Sequence, residues 1–391
     1  MANAARIRTT HVGSLIRPPE LQQFLRLRQA GEPYDALAYA NCLRNSVAGA
    51  VRRQIEAGID LPSDGEFGKT ISWSQYALER LSGFERRPVR PGEHGYSRGA
   101  DRARFADFYR ELDAADGPPA VVGASAGQAV CVGPIAYTGE AELARDIANF
   151  RDALAGAGAA EGFLPVASPT SVIPDRKNEY YKTDEALLYA IAEAMRTEYR
   201  AIVQAGLYVQ LDDARLAVTY DRMVPPASLA EYRSWVARNV EAINHALQGI
   251  PEERVRYHVC WGSWPGPHTT DVPLAEIVDL VLRVKAGTYL IEGANPRHAH
   301  EWRVWERVKL PDGKVLAPGL ISHATNVVEH PQLVADGIVR LAKLVGRERV
   351  LASTDCGFAQ GPFHRRVHSS IMWAKLESLA QGARLASRAL W

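Results

Sequence analysis

The sequence predicts an α/β protein with a parallel sheet and, within that class, a single (β/α)8 TIM barrel with an inserted excursion. Short apolar runs alternate with helical stretches along all 391 residues. Nine such runs suit eight barrel strands and one excursion. Polar residues also collect where the runs end, as at the rim of a barrel. A doubly wound open sheet is the alternative, although no Gly-x-Gly-x-x-Gly follows the first run, which weakens a dinucleotide-binding version.

The predicted strands are short and rich in Val, Ile and Leu, which is typical of parallel strands buried on both faces. They cover residues 7–13, 59–64, 129–135, 163–168, 208–212, 255–261, 289–292, 315–321 and 350–354.

The predicted helices have apolar residues at helical spacing. They cover residues 35–57, 184–205, 228–246, 274–285 and 333–345. Thr183 is suited to cap the second of these, and Gly346 to end the last. Because no repeat and no low-complexity linker divides the chain, we expect residues 1–391 to form one catalytic domain.

The charge balance argues against nucleic-acid and membrane-surface binding, because 46 Lys and Arg residues nearly cancel 45 Asp and Glu residues. Four cysteines are too few for a disulfide scaffold. The N-terminus lacks an apolar signal segment, and the longest uncharged stretch, 117–139, is interrupted by Pro and Gly. We therefore expect a cytoplasmic protein with reduced thiols, and leave a homo-oligomer open.

Four side chains at predicted strand ends form a candidate metal site. His258 and Cys260 are two residues apart in one strand and would project from the same face. Imidazole and thiolate together are typical zinc ligands. Glu292 and Cys356 end or follow two other strands. His-x-Cys alone would more often be a buried Cys beside a hydrogen-bonded His, but the two further rim residues favour a metal site.

Seven motifs distributed over nearly the whole chain resemble the cobalamin-independent methionine synthase family in its short, single-barrel form. They are Thr9-Thr10-His11-Val12-Gly13-Ser14, Ser63-Asp64-Gly65-Glu66, Val209-Gln210-Leu211-Asp212, His258-Val259-Cys260-Trp261-Gly262, Glu292-Gly293-Ala294-Asn295-Pro296-Arg297-His298, Val328-Glu329-His330-Pro331 and Thr354-Asp355-Cys356-Gly357-Phe358.

The resemblance implies a zinc-dependent S-methyltransferase that alkylates a small thiol such as homocysteine, with the thiol activated as a zinc-bound thiolate. Its implied zinc (Zn2+) ligands are His258, Cys260, Glu292 and Cys356. Its implied thiol-substrate contacts are Ser14, Glu66 (for an amino group) and Asp212. The long members of the family carry an extra N-terminal barrel that helps to bind folate, for which this chain has no room, so the alkyl donor stays open.

Three further residues each have a functional and a structural interpretation. His11 could contact substrate or be a hydrogen-bonded structural residue, and Trp261 could wall the substrate pocket or simply pack. His323 could be the acid that protonates a leaving group, or a surface residue that caps the next helix. The segment 295–302 could bind a second metal, but a loop that holds Glu292 in place is the simpler account.

Two alternative functions remain. In relatives of the epoxyalkane:coenzyme M transferase type, a zinc-bound thiolate opens an epoxide, and a sulfonate thiol would favour an Arg near the zinc over Glu66. Otherwise the chain could exchange methyl groups with a corrinoid protein. The partners expected in the main interpretation are a small-molecule thiol and an alkyl donor.

Overall fold

A computed structural model describes residues 5–88, 99–116, 127–173 and 175–391. The strands are β1 Arg8–Thr9, β2 Phe84–Arg87, β3 Gln128–Cys131, β4 Phe163–Ala167, β5 Lys177–Asn178, β6 Tyr208–Asp213, β7 Val255–Val259, β8 Thr288–Ile291, β9 Val315–Pro318 and β10 Leu351–Ala352. The α-helices are α1 Pro19–Ala30, α2 Ala36–Glu56, α3 Ala100–Arg104, α4 Ala106–Asp116, α5 Glu140–Gly156, α6 Asp184–Gln204, α7 Arg215–Val218, α8 Tyr220–Met223, α9 Leu229–Ala246, α10 Val278–Val281, α11 Pro331–Val345 and α12 Ser369–Leu390.

A five-stranded sheet of order β4-β6-β7-β8-β9 forms the centre of the structure, and every neighbouring pair in it is parallel. Its strands are almost wholly buried, as their apolar composition predicts. The register places Asp212 of β6 directly beside His258 of β7. The predicted α/β class with a parallel sheet is thus confirmed.

The first and last strands of the fold, β1 and β10, also pair in parallel. Isolated parallel bridges connect further segments, and they lie at Ser63–Phe163, Leu316–Val350 and Gly319–Ser353. The backbone N–H groups of Asp60 and Leu61 both donate to the carbonyl oxygen of Thr9. Because the regular strands of the described ranges fall into separate sheets of five, three and two strands, a closed eight-stranded barrel remains a prediction.

The predicted strand 129–135 lies outside the central sheet. It forms β3, which pairs antiparallel with β2 and parallel with β5. The predicted strand 59–64 is reduced to one bridge, and Pro62 within it has no N–H to donate.

The helix predicted at 274–285 is also wrong as one element. It divides into the 3-10 turn Leu274–Glu276 and the four-residue α10, and Ile277 between them leaves helical geometry with φ −130°. The other four predicted helices form α2, α6, α9 and α11 within two residues of the expected bounds. Thr183 caps α6 by accepting from the N–H of Ala186, and Gly346 ends α11.

In the described part of the chain, no helix is long and apolar enough to cross a membrane. Residues 117–126 of the uncharged stretch 117–139 lie outside the described residues.

Candidate metal centre and substrate pocket

Two strand ends bring three of the predicted ligands together. His258 lies in β7, Cys260 follows one residue after that strand, and Cys356 follows β10. One ligand atom from each residue lies within 4.8 Å of the other two, and the sulfur atoms of the cysteines are 3.6 Å apart. Cys260 is near His258 because alternate strand residues share a face.

The electrostatics of this cluster suit a soft divalent cation. Both ring nitrogens of His258 are buried without a hydrogen-bond partner among the described residues, and burial lowers the pKa of this histidine to about 3. The imidazole is therefore neutral, as a metal ligand must be. For Cys260, the hydrogen bond with Cys356 and then burial hold the pKa of the thiol well above its usual value. A nearby cation would lower the pKa of Cys260 and would keep His258 neutral, so it would favour the protonation states that metal ligands need.

Glu292, the predicted fourth ligand, lies next to the cluster rather than within it. Its Oε1 accepts from the backbone N–H of Trp261 at 2.9 Å, whereas its Oε2 is buried with no partner in the described residues. Burial, followed by the charges of Cys260 and Asp355, raises the pKa of Glu292 well above its ordinary value. Its side chain borders a second cavity of about 70 Å³, which His298 also lines.

The three clustered ligands line a pocket of about 50 Å³ together with Ser14, Glu66 and Asp212. Glu66 Oε1 accepts from Lys69 Nζ at 3.1 Å, and Asp212 Oδ1 accepts from Gln210 Nε2 at 2.9 Å. Burial and then the charge of Glu66 raise the pKa of Asp212. Two buried carboxyl groups thus face the pocket and favour a cationic group within it.

Ser14 is held against the segment that carries Cys356. Its Oγ accepts from the N–H of Ala359 at 3.3 Å. A Cβ atom on Gly357 would lie 2.0 Å from the same oxygen. The close approach of these two strand ends therefore requires a glycine.

The other three predicted residues do not line the pocket. His11 hydrogen-bonds Gln54 Oε1 at 2.6 Å and accepts from the N–H of Gly13, which is the structural arrangement. The Trp261 indole donates to the Val272 carbonyl at 2.8 Å and packs.

His323 is buried rather than a surface cap, and neither ring nitrogen has a partner in the described residues. Burial lowers its pKa to about 3, which does not favour proton donation near neutrality.

Sequence reasoning missed several pocket residues that come from distant segments: Val12, Trp73, Ala214, Ser263, Gly357 and Gln360. It also gave no role to Asp355, a polar residue after a predicted strand, whose Oδ1 accepts from the N–H groups of Gly293 and Ala294 and so fixes the turn after Glu292. Among the missed pocket residues, Gly357 had a signal, since a glycine beside a candidate ligand indicates a close approach.

In the segment 295–302, His298 lies between two carboxylates, and the described ranges show no metal-binding group besides His258, Cys260 and Cys356. Its Nδ1 is 2.9 Å from Glu301 Oε2, and its Nε2 is 3.0 Å from Asp271 Oδ2. Hydrogen bonds to these carboxylates outweigh burial and raise the pKa of His298 to about 10. His298 lines the cavity that Glu292 borders, and the role of this segment in holding Glu292 stays a prediction.

Fold and site together define an α/β protein with a central parallel sheet and a largely buried His-Cys-Cys cluster near the carboxyl ends of its strands. No family model matches the chain. It is 23% identical to a methionine synthase of Thermococcus kodakarensis, covering 98% of this chain and 94% of that protein, and 23% identical to one of Saccharolobus solfataricus, covering 96% and 94%. A B12-independent methionine synthase structure from Shewanella, in complex with selenomethionine, superposes with a TM-score of 0.72 at 19% identity, covering 98% of this chain and 99% of the other.

These full-length similarities confirm the resemblance to the cobalamin-independent methionine synthase family that the motifs indicate.

Proposed function

We propose that the protein transfers a methyl group to the thiol of homocysteine, using a zinc ion held by His258, Cys260, Glu292 and Cys356. The observation that carries this proposal is the placement of one imidazole and two thiols at the wall of a pocket that also presents two carboxyl groups. The names of the full-length relatives support the same reaction.

The donor set suits zinc, because one nitrogen, two sulfurs and one carboxylate oxygen are all ligands that this ion accepts. The unpartnered Oε2 of Glu292 is the atom that would complete the set. When bound, zinc would supply the positive charge that keeps a substrate sulfur deprotonated at neutral pH.

The chain's own residues orient the amino acid. Glu66 and Asp212 would accept hydrogen bonds from the substrate ammonium group, and Ser14 would contact the substrate from the opposite strand end. Burial of all three side chains excludes water from the thiol.

The same lining argues against a sulfonate thiol such as coenzyme M. Among the described residues that line the pocket there is no Arg or Lys, and Lys69 behind the wall is engaged with Glu66. A sulfonate placed against two carboxyl groups would be repelled.

His323 as the proton donor stays a prediction, and the pKa of about 3 does not favour it in the protein without substrate. Asp212, whose pKa burial raises, is the better candidate to hold a proton beside the pocket before substrate binds, and a bound ammonium group would favour its ionised form, which accepts the hydrogen bond.

We also propose that residues 1–391 form one domain whose eight parallel segments close as a (β/α)8 barrel. The pairing of β1 with β10, the bonds from Asp60 and Leu61 to Thr9, and the bridges that link the remaining neighbours support this ring. The sheet of β2, β3 and β5 would then be the excursion.

The experiment is a direct assay of the zinc-loaded protein with homocysteine or coenzyme M, each with methylcobalamin, a methyl-folate or an epoxide as the alkyl donor. We expect methionine from homocysteine and no product from coenzyme M. A Cys356→Ser variant is the inactive control. Coenzyme M alkylation would replace the proposed function, and methyl exchange seen only with a co-purified corrinoid protein would favour the partner role.

A further inference from the structure

A large cleft lies between α1, α2 and the segment 362–373, and it has a volume of about 880 Å³. This volume is in the range of small-molecule sites. It lies outside the metal cluster and the thiol pocket, and the proposed function uses none of its charged side chains.

The charge of the cleft is strongly positive. Four arginines line it, Arg17, Arg26, Arg53 and Arg365, against the single acidic residue Glu20. The chain as a whole has a formal charge of only +1, so this concentration of one sign is local.

These arginines have no ion pair with a carboxylate among the described residues, whereas several arginines elsewhere do. Arg80, for example, is clamped between Asp146 and Glu198 at 2.6 and 2.7 Å. Unpaired guanidinium groups in a concave surface are what an anionic ligand requires.

Aromatic rings hold two of the guanidinium groups in place. The Arg53 guanidinium lies 4.4 Å from the centre of the Trp373 ring, and that of Arg26 lies 5.3 Å from the centre of the Phe363 ring. Such contacts leave the N–H groups available at the edge of the guanidinium plane.

Arg17 forms the inner wall and is almost fully buried. It donates through Nη2 to the carbonyl oxygens of Glu66 and Lys69, at 2.6 and 3.0 Å, while its Nε and Nη1 have no partner in the described residues. A buried cation with unused donors raises the local positive potential and favours an anion nearby.

We propose that this cleft binds a small molecule whose carboxylate or phosphate groups carry at least two negative charges, and that Arg26, Arg53 and Arg365 recognise them. Ala359 lines the cleft and also donates to Ser14 Oγ in the thiol pocket, so the two sites share a wall. The identity of the bound molecule as the anionic part of the alkyl donor rests on the proposed function, whereas the binding of an anion in the cleft does not.

The test is isothermal titration calorimetry of the whole protein with tricarballylate and, separately, with inorganic phosphate, neither of which requires turnover. We expect at least one of them to bind, and the stronger of the two identifies the preferred group. The double variant R26Q/R53Q should weaken binding by about tenfold or more. The matched control R110Q/R283Q, which changes two exposed arginines away from the cleft, should bind as the wild type does.

Cys42 reports where the anion binds, because it lines the cleft and is partly exposed. Its alkylation by N-ethylmaleimide, followed by peptide mass mapping, should slow when the anion is present, and this protection should disappear in R26Q/R53Q. Absence of binding by both anions, equal weakening in the control, or unchanged Cys42 labelling would each overturn the proposal. If the wild type binds the anion but does not methylate homocysteine, only the proposed function is overturned.

Discussion

Replacement of Glu66 by glutamine should reduce the selectivity for a thiol that carries an amino group. The Glu66 carboxylate is buried, lines the thiol pocket and accepts a hydrogen bond from Lys69. A hydrogen bond to a charged group contributes roughly 1.5–3 kcal/mol. Loss of that interaction corresponds to roughly a 10- to 150-fold fall in kcat/KM for homocysteine.

The assay compares homocysteine with 4-mercaptobutyrate, which lacks only the amino group. The wild type should prefer homocysteine, and the ratio of the two kcat/KM values should fall by about tenfold or more in E66Q. The ratio cancels any general loss from the disturbed pairing with Lys69, because both substrates meet the same variant. E161Q, which alters the ion pair with Arg8 away from the pocket, is the control. An unchanged ratio in E66Q would refute the assignment of Glu66 to the substrate amino group.

Three further outcomes follow from the same contacts. Burial lowers the pKa of His11 to about 4 from an ordinary 6.5, so between these pH values only the unfolded chain takes up the proton. In urea unfolding, the stability advantage of the wild type over H11N should therefore be about 2 kcal/mol smaller at pH 5 than at pH 7. A constant difference would show that His11 is not buried and neutral. Gly357→Ala should abolish methyl transfer because its Cβ would displace the Ser14 hydroxyl. Gly156→Ala in α5, where no atom lies within 4 Å of an added Cβ, should retain activity. An active G357A would show that this close approach is not needed. Removal of zinc with a chelator should lower the thermal midpoint, since a ligand that binds only the folded state stabilises it; an unchanged midpoint would contradict a metal in the buried cluster.

The sequence was sufficient to predict three residues of the candidate metal cluster, because strand geometry follows simple rules. Two-residue spacing in a strand places His258 and Cys260 on one face, and polar residues after parallel strands meet at one edge of the sheet. Ser14, Glu66 and Asp212, which the family resemblance implied as substrate contacts, line one pocket.

Sequence reasoning failed where long-range packing decides the outcome. The apolar run 129–135 has the composition of a central strand, yet its pairing with β2 and β5 places it in another sheet. Gln54 accepts a hydrogen bond from Ser63 and contacts His11, and no local pattern predicts that a helix residue engages this histidine. The orientation of Glu292 depends on the N–H of Trp261 and is likewise invisible in the sequence.

The most direct test of the account is the zinc content of the purified wild type compared with Cys260→Ser and Cys356→Ser, with Cys42→Ser as a matched control outside the cluster. We expect stoichiometric zinc in the wild type and the control, and a large loss in both cluster variants, because each would replace a thiolate by a poor zinc ligand. Full zinc occupancy in both cluster variants would show that these thiols do not hold the metal and would contradict the proposed mode of thiol activation.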